Sequence, residues 1–117
     1  MLTCIIRYHI DPTKKAQFEQ YARNWGQAIP RNGADLIGYY APHEGSATLA
    51  YGIYNIGSLT AYEQYRQRLA ADPLGRENYE FAQKEKFVYF LNLKFYIFFV
   101  FILFILVFKF LCDIYRL

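Results

Sequence analysis

His43 and Glu44 come nearest in this sequence to an acid–base pair. A histidine near its ordinary pKa gives or takes a proton at neutral pH, and a nearby carboxylate can orient it. The surrounding Pro42-His43-Glu44-Gly45-Ser46 also has the composition of a turn, whose polar side chains face water. Neighbours on an extended chain point apart, so Glu44 need not touch His43. Arg7, Arg31, Arg66 and Arg68 are of the type that binds an anionic ligand; otherwise they are solvated charges. Arg7 matters if its side of a strand is covered, because a buried guanidinium needs a partner. Tyr8, Tyr39, Tyr51 and Tyr54 are of the type that lines a pocket between helices and sheet, or else fills a core. There is no phosphate-binding loop and no dinucleotide fingerprint. His9 and His43 stand without clustered carboxylates or thiolates, so neither a metal nor another cofactor is expected.

These residues sit in a chain of 117 residues with a formal net charge of +3. That length suits one domain. At 55% hydrophobic and 21% aromatic the chain is not intrinsically disordered. The charge is too small to argue for nucleic acid. Cys4 and Cys112 form no CxxC pair, so no disulfide framework is expected. Arg7 and His9 interrupt any apolar leader, which points to a cytoplasmic domain.

The positioning elements are legible in the pattern. Leu2 to Ile10 alternates, with Cys4, Ile6, Tyr8 and Ile10 on one side and Ile5, Arg7 and His9 on the other: a strand. Asp11-Pro12 then opens a helix, with Asp11 as its N-cap. Phe18, Tyr21, Ala22, Trp25 and Ile29 recur at helical spacing and form its buried stripe. Pro30 and Asn32-Gly33 end it. Leu36 to Tyr40 and Thr48 to Ile56 read as a hairpin, the second strand setting Leu49, Tyr51 and Ile53 against Ala50, Gly52 and Tyr54. Ser58 caps a helix from Leu59 to Ala71, and Asp72-Pro73 starts another to about Lys84. Phe87 to Leu93 has room for a fourth strand.

The order is βαββαβ, an α+β ferredoxin-like arrangement with helices on one face of the sheet. Its strands carry apolar residues on both faces, as at Tyr39-Tyr40. Large exposed apolar patches are uncommon on monomers, so the second face is expected to pack against a twin in a homodimer. No Lys or Arg lies between Arg31 and Arg66, so both hairpin strands lack cations for phosphates and RNA binding on the sheet is not expected.

Several blocks then stand in a familiar order: Trp25-Gly26, Ile29-Pro30-Arg31, Gly33-Ala34-Asp35-Leu36-Ile37-Gly38-Tyr39, Pro42-His43-Glu44-Gly45, and Tyr65-Arg66 followed by Leu69-Ala70-Ala71-Asp72-Pro73. Over residues 1–86 the chain resembles the NIPSNAP family in its short bacterial form. The resemblance implies a ferredoxin-like domain that pairs into a dimeric α/β barrel. It implies no settled activity. One reading is small-ligand binding or a scaffold role, with Arg7, Trp25, Tyr39, Glu44 and Tyr51 as ligand contacts. The alternative is a cofactor-independent dimeric-barrel enzyme, of monooxygenase or isomerase type, with His43 as catalytic proton carrier. Haem-degrading dimeric barrels use an Asn, a Trp and a His, types present here as Asn24, Trp25 and His43. Asn24 and Trp25, however, lie about 100° apart on a helix and share no face well.

After Lys86 the composition changes. Residues 87–117 contain no Ala, Gly, Pro, Ser or Thr. A domain at 1–93 and a hydrophobic tail at 94–117 are expected. Phe95 to Phe108 is uncharged, and a helix over residues 90–110 would span ~31 Å, enough to anchor the chain in a membrane. The preceding lysines would keep the domain in the cytosol. The tail's Phe, Ile, Leu, Lys, Tyr and Asn all have A/T-rich codons, so a shifted reading frame is the other origin for it.

Overall fold

The computed structural model describes residues 1–97, together with Lys109, Leu111 and Asp113. Strand β1, Leu2–Ile10, carries the predicted alternation, with Cys4, Ile6, Tyr8 and Ile10 all buried. Asp11 accepts from the Thr13 amide at 2.9 Å, but it caps a single 3-10 turn, Pro12–Lys14, and the first helix starts after that turn. Helix α1, Lys15–Arg31, buries Phe18, Tyr21, Trp25, Ala28 and Ile29. Pro30 does not end it but lies in its last turn, where it leaves the Gly26 carbonyl without the usual i−4 donor. Asn32 closes the helix, its backbone N–H and its Nδ2 both donating to Ala28 O, at 3.2 and 2.8 Å.

Strands β2, Asp35–Tyr40, and β3, Leu49–Ile56, form the predicted hairpin, with a register shift between Leu36 and Gly38. Ser58 caps α2, Leu59–Ala71, accepting from Ala61 N at 3.1 Å. Asp72 caps α3, Pro73–Glu85. Lys86 ends α3 in the left-handed conformation, and Lys14 Nζ donates to the Glu85 carbonyl at 2.6 Å. Strand β4, Val88–Ile97, pairs with β1 along its whole length.

The sheet order is β2-β3-β1-β4, all neighbours antiparallel, which is the expected ferredoxin-like topology. Cross-strand rows separate the two faces. Beneath the helices run Tyr39–Gly52–Ile6–Leu93, Leu36–Tyr54–Cys4–Phe95 and Ala50–Tyr8–Leu91. On the open face run Tyr40–Tyr51–Arg7–Asn92, Ile53–Ile5–Lys94 and Leu49–His9–Phe90. The open face is mixed rather than wet. Tyr40, Phe90 and Tyr96 are half or more exposed on it, while Thr3 donates to Asn55 Oδ1 at 2.7 Å.

Strand β4 corrects the tail. It extends past the expected boundary at Leu93, so Phe90 to Ile97 are strand and a helical span cannot begin at Phe90. Among the described residues no helix is long and apolar enough to cross a membrane. The expected C-terminal hydrophobic helix otherwise lies outside the described residues.

Candidate functional site

A cavity of about 570 Å³ lies between the sheet and the helices. Its floor comes from inward-facing strand positions, Ile6, Tyr8, Tyr39, Tyr54 and Leu93, and its roof from Tyr21, Trp25 and Ile29 of α1 and Tyr65 of α2. Period two on the strands and 3.6 on the helices aim these side chains at one space. Tyr39 fits because Gly52 lies opposite: a Cβ there would come within 2.8 Å of the Tyr39 ring.

The tyrosines form a connected aromatic wall. Tyr8 and Tyr39 share a hydroxyl–hydroxyl hydrogen bond of 3.0 Å. Tyr21 packs edge-on against Trp25, ring centres 5.6 Å apart, and Tyr54 packs on Tyr65 at 5.4 Å. Burial pushes the hydroxyls of Tyr8, Tyr39, Tyr21, Tyr54 and Tyr65 above the ordinary phenol pKa. They therefore remain neutral hydrogen-bonding groups at physiological pH. Trp25 Nε1 is buried with no hydrogen-bond partner among the described residues. Buried donors are normally paired; the neighbouring Tyr21 hydroxyl is close enough to feel this N–H, but it does not complete a hydrogen bond of good geometry.

Of the sequence candidates, Trp25 and Tyr39 meet in this cavity, as do Tyr8 and Tyr54. Arg7 and Tyr51 do not: they pair with each other in register on the open face. Their strand alternation already set them apart from Tyr8 and Tyr54. His43 and Glu44 are exposed in the β2–β3 loop and line no part of the cavity. Nor do Asn24, Trp25 and His43 assemble. Asn24 Nδ2 donates to Asn78 Oδ1 at 3.0 Å, and Asn78 Nδ2 to Tyr21 O at 3.0 Å, tying α1 to α3.

Arg31 and Arg68 are structural. Arg31 takes Asp72 with both ends of its fork, Nε to Oδ2 at 3.0 Å and Nη2 to Oδ1 at 2.7 Å. Asn32 Nδ2 reaches the same carboxylate at 2.7 Å, and Arg68 Nε donates to Asn32 O at 2.9 Å. Hydrogen bonds from Asn32 and then Arg31 hold the Asp72 carboxyl down at about 2. Sequence reasoning missed two site residues, Tyr21, which it read into the buried stripe of the first helix, and Tyr65. It also missed Arg76, Tyr79 and Glu80 on α3, which reach the rim. Their one signal was helical spacing.

The NIPSNAP family model matches residues 3–101, carrying the resemblance past Lys86 and through β4. No protein with a curated description matches the chain. Among solved structures, a protein from Agrobacterium tumefaciens superposes with TM-score 0.72 at 18% identity, covering 83% of this chain and 92% of that one. An uncharacterized NIPSNAP domain protein from Burkholderia xenovorans gives TM-score 0.67 at 21% identity, covering 83% and 93%. A candidate antibiotic biosynthesis monooxygenase from Nitrosomonas europaea gives 0.64 at 11% identity, covering 82% and 96%. At these identities the likeness is one of fold.

Proposed function

The chain belongs to the NIPSNAP family, and from that premise we propose that it binds a small molecule in the tyrosine-lined cavity and works as a homodimer. One observation carries the ligand reading: a cavity of about 570 Å³ with the buried Trp25 Nε1, which completes no well-formed hydrogen bond among the described residues, on its wall. That volume is in the range of small-molecule sites, which are mostly apolar with few polar groups. The lining has this composition, neutral tyrosine hydroxyls among Ile6, Ile29 and Leu93. Trp25 and Tyr39 are its ligand contacts.

Binding is favoured over catalysis by His43. That residue is exposed and outside the cavity, whereas a proton carrier must come within hydrogen-bond reach of the bound substrate. The likeness to a candidate monooxygenase bears on the fold and names no catalytic group here.

The dimer reading rests on the open face. Ile5, Leu49, Tyr51 and Ile53 are half-buried in a single subunit, and Tyr40 and Phe90 are more exposed. A second copy, packed by a two-fold axis, buries this patch. Arg7 and Tyr51 are then subunit-contact residues.

The ligand reading is tested with N-phenyl-1-naphthylamine, a neutral apolar probe. Trp25 is the only tryptophan, so its emission reports on this cavity. Saturable quenching is expected, and Ala70→Phe on the cavity rim should abolish it. No quenching, or quenching indifferent to Ala70→Phe, rejects the ligand site. For the dimer, light scattering should give twice the chain mass, falling to one chain in Ile53→Arg. A monomeric parent protein rejects the dimer.

A further inference from the structure

The rim of the cavity differs from its floor. Arg66 of α2 and Arg76 of α3 stand there, both exposed. Arg66 donates to the Tyr62 hydroxyl at 3.0 Å, and its guanidinium carbon lies 5.9 Å from the centre of that ring. Among the described residues neither arginine is in an ion pair, whereas Arg31 is engaged at Asp72 and Arg23 reaches Glu19. Glu80 shares the rim, so two positive charges face one negative. Below the rim the walls are apolar and aromatic, with the unanswered Trp25 donor among them.

We propose that the occupant is an amphipathic organic anion. Its apolar body lies among the tyrosines, its anionic group meets Arg66 and Arg76 at the rim, and an acceptor atom comes within reach of Trp25 Nε1. This rests on the cavity being a ligand site. Guanidinium groups bind carboxylate-like or sulfonate-like oxygens through paired N–H donors. Glu80 excludes a second anionic group on its own side of the rim by like-charge repulsion.

The test uses two probes that differ in one group. 1-Anilinonaphthalene-8-sulfonate carries an anion; N-phenyl-1-naphthylamine is the same framework without it. Each is titrated into the full chain while Trp25 emission is followed. The sulfonate is expected to bind at least about tenfold tighter. The Arg66→Gln/Arg76→Gln pair should remove that advantage and leave the neutral probe within about twofold. Because Arg66 also holds Tyr62, Arg76→Gln alone is measured too, with an expected loss of several-fold for the sulfonate only. Equal affinities in the parent protein, or a sulfonate affinity unchanged in both variants, overturn the anionic ligand and leave the cavity standing. Failure of the neutral probe to quench, or quenching that survives Ala70→Phe, overturns the cavity reading and this proposal with it.

Discussion

Two regions of this molecule gather polar side chains under helices, and they do so in opposite ways. At the junction of α1 and α3 every named group is answered. Asp72 takes Arg31, Asn32 and the Leu74 amide, and Arg68 takes the Asn32 carbonyl. In the cavity a buried indole N–H makes no hydrogen bond of good geometry, with only the Tyr21 hydroxyl near it, and two rim arginines have no carboxylate partner among the described residues. A sequence reader would mark Arg31 and Arg66 alike as anion binders. Satisfaction tells them apart: a closed network holds two helices together, whereas an open one has bonds left for something else.

The strongest way to break this comparison is Asp72→Ala. It removes an N-cap and leaves Arg31 and Asn32 without their acceptor, so it should lower the thermal midpoint more than any other change named here. Whatever folded protein remains should bind the neutral probe with unchanged affinity. A normal melt with lost probe binding would reverse the roles of the two regions.

Acid provides a graded version of the same experiment. The Asp72 carboxyl sits at about 2 in the folded chain, below its ordinary 3.8. Between those values the unfolded chain binds the extra proton, so stability rises with pH. The contribution is complete above about pH 4 and is lost as pH falls through 2. Melts at pH 5, 3.5 and 2 should show the decline, and Asp72→Asn should flatten its share of it.

Gly52→Ala sharpens the cavity side. The new Cβ would displace the Tyr39 ring and break its hydrogen bond to Tyr8, costing about 1–3 kcal/mol as overpacking. Probe affinity should fall about tenfold by the Trp25 titration. Unaltered affinity would mean that Tyr39 does not shape the site. The smallest effect belongs to His43→Ala. An exposed loop residue should change stability by no more than about 0.5 kcal/mol and leave both probes unaffected. A large loss of probe binding would return His43 to the site.

Much of the fold was legible because each element announces itself locally. The alternation of Cys4, Ile6, Tyr8 and Ile10 is a strand wherever it lies, and Ser58 and Asp72 cap helices by chemistry confined to three or four residues. The end of β4 was not legible. Asn92 and Lys94 mark one side of Phe87 to Ile97, but the sequence runs on past Leu93 with no Gly, Pro, Ser or Thr to mark where a strand stops. Pairing with Leu2 to Ile10 across the sheet makes it a strand. The candidate site was half legible. Trp25 and Tyr39 were marked by type, and Arg7 and Tyr51 were marked with them although alternation turns both to the other face.

The residue order alone determined the elements, their sequence along the chain and the two-sided character of the strands, because those follow from spacings of two and 3.6 residues and from short-range caps. It could not decide which tyrosines share a space, which arginine finds a carboxylate, or which donor is left over. Arg31 and Asp72 lie 41 residues apart, Tyr8 and Tyr39 31. Whether groups so distant in the chain meet depends on how helices settle on a twisted sheet, a sum over the whole packed interior.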